Sequence, residues 1–270
     1  MKKRTLIFFL LIMLFDKSNA QKDSTFKLVR VIKGDIVSFT VDNLDNIYIL
    51  NSRNQVKKLS PEGDSIAVYN DVKRFGTATL IDVSNPMKVL LFYRDFATVV
   101  SLDRLLNMRN SIDLRKQNVL QAKAIGQSYD NKIWVYDEVE NKLKKIDEDG
   151  KLLLETSDFR LVLGQSPQPT KLFDESKYVY LYDPALGVYV FDYYGSLKNN
   201  IMIIGWQNFK VVDKFIYGSK NDTLYRYEIN TFRYDEWKMP AEIAHSKAFN
   251  FTSARLYALK NDAIEIYSIR

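Results

Sequence analysis

The residue types that carry most enzyme chemistry are scarce in this chain. It holds one histidine, His245, and no cysteine. A single imidazole cannot build a multi-histidine zinc site, and the lack of thiolates excludes a structural zinc site. A Ser-His-Asp triad would have to use His245, in the connection 241–246, and nothing in the sequence nominates its serine. There is no Gly-x-Ser-x-Gly elbow and no glycine-rich phosphate loop; Gly187 and Gly195 stand as isolated turn residues. This inventory nominates no catalytic residue, no metal and no cofactor.

What remains is recognition chemistry. Arg53, Arg74, Phe75, Arg94, Phe96, Phe159, Arg160, Trp206 and Trp237 fall in connections between apolar stretches. Arginine and the aromatics are the types that dominate protein interfaces, so these nine are the candidate partner-binding residues. The plainer alternative is that Phe75 and Trp206 fill gaps between packed elements. Trp134 lies inside an apolar run and reads as core. Asp82, Asp213 and Asn250 carry oxygen donors of the kind a hard divalent ion takes, although acids and amides at strand ends also form turns.

The elements that must position these residues repeat. The stretch 42–65 reads as an Asp/Asn turn, an apolar strand, a polar loop, an alternating strand and a glycine turn, with no room for a helix. The apolar strand returns at Ile47, Val89, Ile133, Val179, Phe215 and Leu256, a spacing of about 42 residues, which is the signature of propeller blades. Seventeen Tyr and 16 Phe favour strands, while only 10 Gly and 6 Pro leave the turns to Asn, Asp and Ser. The second apolar strands are apolar on both sides, as sheets packed on both faces require. The third strands, such as Lys142-Leu143-Lys144-Lys145-Ile146, alternate like outer strands. The sequence predicts a helical turn at Arg104-Leu105-Leu106-Asn107-Met108 and irregular chain over 230–239.

The sixth unit ends one strand short. Residues 25–33 are strand-like and precede the first unit, so they are the natural fourth strand of the sixth. The expected fold is all-β, a single closed six-bladed β-propeller over 21–270, with the N-terminal strand completing the last blade. Closure removes the exposed edges that an open array would leave.

Residues 1–20 read as an export signal. Lys2, Lys3 and Arg4 precede an apolar run over 5–15, and Ser18-Asn19-Ala20 supplies small residues for cleavage. The run is shorter than the roughly 20 residues that span a bilayer. The segment carries half of the formal charge of +6, and no basic run survives beyond it, which argues against nucleic acid and membrane-surface binding. With no cysteine to bear a lipid or a disulfide, the mature chain is expected in the periplasm or outside the cell, held by core burial and without direct membrane insertion.

Two units carry a resemblance. Asp45-Asn46-Ile47-Tyr48-Ile49 with Val56-Lys57-Lys58-Leu59 and Gly63, and Asp130-Asn131-Lys132-Ile133-Trp134-Val135-Tyr136 with Leu143-Lys144-Lys145-Ile146 and Gly150, are similar to the NHL-type and related short-repeat six-bladed propellers of exported bacterial proteins. The resemblance implies a fold that hosts enzymes, receptors and scaffolds alike. By analogy with small periplasmic propellers, the expected role is a non-catalytic interaction module. It would be an accessory subunit or plug of an outer-membrane assembly or secretion complex such as the type IX translocon, with a protein partner in the cell envelope. Two other readings stand beside it: a metal-dependent hydrolase or lyase with Asp82, Asp213 and Asn250 around a central channel, and a receptor for a small ligand or glycan.

Overall fold

A computed structural model describes residues 25–269. The expected export signal, 1–20, lies outside them. Among the described residues, 24 strands form six four-stranded antiparallel sheets, the blades of a propeller. Blade one is Ser38–Val41, Ile47–Leu50, Val56–Leu59 and Ser65–Tyr69. Blade two is Leu80–Asn85, Lys88–Tyr93, Thr98–Asp103 and Met108–Asp113, and blade three Ala122–Gln127, Ile133–Asp137, Lys142–Ile146 and Leu152–Glu155. Blade four is Lys171–Glu175, Tyr178–Asp183, Gly187–Phe191 and Leu197–Ile201, and blade five Gln207–Val212, Phe215–Lys220, Thr223–Glu228 and Arg233–Lys238.

Blade six is built from both ends of the described chain. Ala248–Phe251, Arg255–Lys260 and Ala263–Ile269 are completed by Phe26–Lys33, with Phe26 opposite Ile269 and Lys33 opposite Ala263. The first strands of neighbouring blades touch in a ring around the central channel. No helix among the described residues is long and apolar enough to cross a membrane.

The core lies between blades. Tyr48, Leu50 and Val56 of blade one meet Val89, Leu91 and Val100 of blade two, and Ile32 and Ile264 of blade six meet Ile47 and Leu59 of blade one. Each second strand is therefore buried on both faces, as its composition required.

Three expectations are corrected. Residues 104–107 form no helical turn: the Asp103 carboxylate accepts from the Leu105 and Asn107 amides at 2.9 Å, making a tight turn into the strand at Met108. Helical turns occur instead in links between blades, at Val72–Phe75, Phe159–Leu163 and Ala241–Ala244. The stretch 230–239 is not irregular, because Arg233–Lys238 pairs in full register with Thr223–Glu228. The third strands are not alternating: Lys58, Lys144 and Lys145 within them are buried rather than outward. Lys144 Nζ reaches Asp137 Oδ2 at 2.9 Å and the Asn118 carbonyl at 2.8 Å, so blade contact and charge pairing replace water.

The Asp/Asn turns are also sharper than the sequence suggested. Asp42, not Asp45 or Asn46, is the turn's acceptor, taking the amides of Leu44 and Asn46 at 2.9 Å. Asp147 and Asp192 repeat the arrangement toward the residues two and four ahead.

Candidate functional site

Links between blades and the turns from second to third strands share one rim, here the linker rim. The turn geometry there presents arginines. Asn51 Oδ1 accepts from the amides of Arg53 and Gln55, fixing a turn from which Arg53 projects; its guanidinium has no hydrogen bond among the described residues. Arg94 and Phe96 occupy the equivalent turn of blade two, closed by the Ala97 amide donating to the Arg94 carbonyl at 2.9 Å. Arg94 Nη2 donates to the Lys123 carbonyl at 3.2 Å, and the Phe96 side chain is 52% exposed. Arg74 lies 4.7 Å above the Phe75 ring and 4.0 Å from Asp71. Arg160 is clamped on Asp158, whose carboxyl that hydrogen bonding holds below its ordinary range.

The remaining candidates are placed differently. Phe75, Phe159 and Trp206 are buried. Phe159 stacks between Tyr136 and Phe191, with ring centroids at 5.8 and 5.0 Å. Trp206 stacks on Tyr225 at 5.2 Å, and its carbonyl accepts from the Tyr182 hydroxyl at 2.7 Å. Trp237 sits within the outer strand of blade five, not in a connection, with the Arg226 guanidinium 5.1 Å over its ring. His245 is an exposed residue closing the helical turn Ala241–Ala244. The rim thus brings together Arg53, Arg74, Arg94, Phe96 and Arg160 as exposed groups.

Sequence reasoning missed the apolar members of this rim. Val37, Leu120, Leu161 and Met202 all stand exposed in its links, Leu161 at 83%. Phe-Arg-Leu-Val-Leu over 159–163 forms one helical turn, which sends only part of its residues inward, and Phe159 takes that direction. Charge is uneven around the rim. From blade one to the link into blade three, Arg53, Lys73, Arg74, Arg94, Arg115 and Lys116 stand against Asp35, Asp71, Asp95 and Asp113, while the turn of blade three carries Glu138 and Glu140.

The channel holds different chemistry. Lys210 Nζ donates to the Val41 carbonyl at 2.8 Å and to Asn250 Oδ1 at 2.7 Å, and Asn250 Nδ2 donates to Thr40 Oγ1 at 3.3 Å. That chain of contacts links blades five, six and one. Burial pushes the Lys210 ammonium down to about 8, against the opposing pull of Asp42, Asp82 and Asp45. Lys171, opening the first strand of blade four, is lowered by burial as well, with Asp82 opposing. Asp82 itself accepts from the Gln127 amide at 2.7 Å and the Ser84 amide at 2.8 Å.

The three oxygen donors considered for a metal do not share one position. Asn250 is capped by an ammonium, Asp82 by two amides, and Asp213 occupies a left-handed turn residue (φ 53°) where the Ser176 hydroxyl donates to its carbonyl. Among the described residues no three His, Cys, Asp or Glu side chains gather as a metal set.

No family model matches the chain, and no curated protein matches it in sequence. Solved structures do match in fold. A streptogramin B lyase is similar at a TM-score of 0.59 and 10% identity, covering 91% of this chain and 86% of that one. A virginiamycin B lyase from Staphylococcus aureus gives 0.58 and 14%, covering 91% and 89%. The Pan2 WD40 domain of Neurospora crassa gives 0.61 and 10%, covering 90% and 95%. At these identities the likeness shows the propeller fold, which serves lyases and interaction domains alike.

Proposed function

We propose that this chain is an exported, non-catalytic propeller that docks through its linker rim on a protein of the cell envelope. It acts there as an accessory subunit or plug of an outer-membrane assembly or secretion complex, of which the type IX translocon is one example. The observation that carries the reading is the rim itself. Arg53, Arg74 and Arg94 stand with Phe96, Leu120 and Leu161 on one exposed side of a rigid disc. Exposed apolar side chains ringed by arginine are what interface centres are made of. The uneven charge of the rim favours a partner with an acidic face, since complementary potential steers association.

The export signal supports the compartment, and the weak basicity of the chain beyond it supports protein rather than nucleic acid as the partner. The test is retention of a partner from detergent-solubilised envelopes by the mature protein, compared with the double variant Arg53→Glu/Arg94→Glu. The reading expects a stoichiometric partner with the wild type and its loss with the variant. Recovery of a lone monomer, or equal retention by the variant, would overturn it.

A further inference from the structure

The central channel presents two ammonium groups that no carboxylate among the described residues contacts directly, Asp42, Asp45 and Asp82 acting only from a distance. Lys171 and Lys210 stand on the innermost strands of blades four and five, which touch each other. Neither forms an ion pair within 4.0 Å among the described residues, whereas the buried Lys144 and Lys145 both do. Lys210 spends two of its three N–H groups on the neutral oxygens of Val41 and Asn250. Lys171 has no hydrogen bond among the described residues, and its side chain remains open to channel water.

The one carboxylate within electrostatic reach of both is Asp82, and it is turned to other work. Its two oxygens accept from the backbone amides of Ser84 and Gln127. Beside it, the buried side-chain amide of Gln127 has neither its nitrogen nor its oxygen partnered among the described residues. A half-buried ammonium such as Lys210 with no carboxylate in contact is costly. Lys171, on the neighbouring inner strand, adds a like charge that Lys210 feels. A bound anion removes that cost.

We infer that the channel is a binding site for a small oxyanion, a phosphate or carboxylate group, held by Lys171 and by the third N–H of Lys210. The site is independent of the rim: an anion enters along the axis, whereas a partner seats on the linker side.

The experiment is calorimetric titration of the mature protein with inorganic phosphate and, separately, with citrate, at constant ionic strength. Saturable binding of one or both is expected, and the pair distinguishes a phosphate site from a carboxylate site. Lys171→Met should weaken binding at least tenfold, Lys171→Arg should stay within about threefold, and Lys88→Met, a lysine outside the channel, should leave it unchanged. If Lys171→Met does not fold, the side-chain NMR signals of Lys171 and Lys210 in the wild type decide the matter, since both must shift on titration. No saturable binding of either anion, or wild-type affinity in Lys171→Met, would overturn the inference.

Discussion

The Tyr257 hydroxyl donates to Asp45 Oδ1 at 2.6 Å, joining blade six, which holds both ends of the described chain, to blade one. Arg255 Nη1 lies 3.1 Å from the other oxygen of the same carboxylate. Asp45 is at once a left-handed turn residue (φ 63°) and a clasp between blades. A turn residue that the repeat calls for locally has been given a second role by ring closure.

That double role separates by substitution. Asp45→Asn keeps a residue that tolerates the left-handed turn but removes the charge, and Asp45→Ala removes both. The expected losses in urea unfolding are about 1 kcal/mol for Asn and about 2–3 kcal/mol for Ala, from hydrogen bonds to a charged acceptor. A double-mutant cycle with Tyr257→Phe should return a coupling energy; additive losses would place the effect in the turn alone.

Lys144 gives the larger effect. Its partner Asp137 is fully buried and also accepts from the amides of Leu120, Gln121 and Val139. Lys144→Met strands that carboxylate and should cost roughly 3–5 kcal/mol, whereas Lys142→Met, at a surface pair with Glu155, should cost no more than about 1 kcal/mol. Burial alone would lower the Lys144 ammonium, but Glu140 and Asp137 hold it above its ordinary range. A raised lysine contributes stability that is complete below the unfolded value near 10.5 and lost as pH climbs through the native one. Denaturation midpoints measured from pH 7 to 11 should therefore fall at the alkaline end in the wild type and stay flatter in Lys144→Met.

Trp206 is explained by Gly218. A Cβ on Gly218 would stand 2.6 Å from Cε3 of the indole, so the glycine in this second strand makes room for the ring. Gly218→Ala should lower stability by roughly 1–3 kcal/mol through overpacking, and Trp206→Phe in the same chain should recover part of it. Thermal unfolding of the single and double variants checks this.

The disc was legible because each blade repeats its turn chemistry. Ile47, Val89, Ile133, Val179 and Leu256 all open second strands or lie at their start, and Phe26–Lys33 closes blade six where the shortfall in the last unit pointed. The candidate site was legible only in part. Residue type marked Phe75, Phe159 and Trp206 as interface residues, but type does not say which way a side chain turns, and all three turn inward. The sequence analysis did not single out Leu161, which stands exposed on the rim. Lys171 and Lys210 gave no signal, because a lysine beside a turn reads as solvated until the ring brings six first strands together around one axis.

The channel should respond to pH. Lys210 titrates near 8, lowered by burial, with Asp42, Asp82, Asp45 and Lys171 as the neighbouring charges. Below that value the ammonium is present and anion affinity should be flat. Above it the site must first take up a proton, so affinity should fall by about tenfold per pH unit. Citrate titrations between pH 7 and 9.5, where the ligand keeps its charge, measure the slope; a pH-independent affinity would remove Lys210 from the site.

The central claim is that the linker rim meets a protein partner. A photo-crosslinking amino acid placed at Phe96 on that rim, and in a second variant at Met87 on the opposite rim, tests it most directly in intact cells. Both side chains are exposed. The account predicts one discrete crosslinked envelope protein from position 96, lost when Arg53 and Arg94 are changed to glutamate, and none from position 87. Crosslinking from position 87 alone, or from neither, would contradict it.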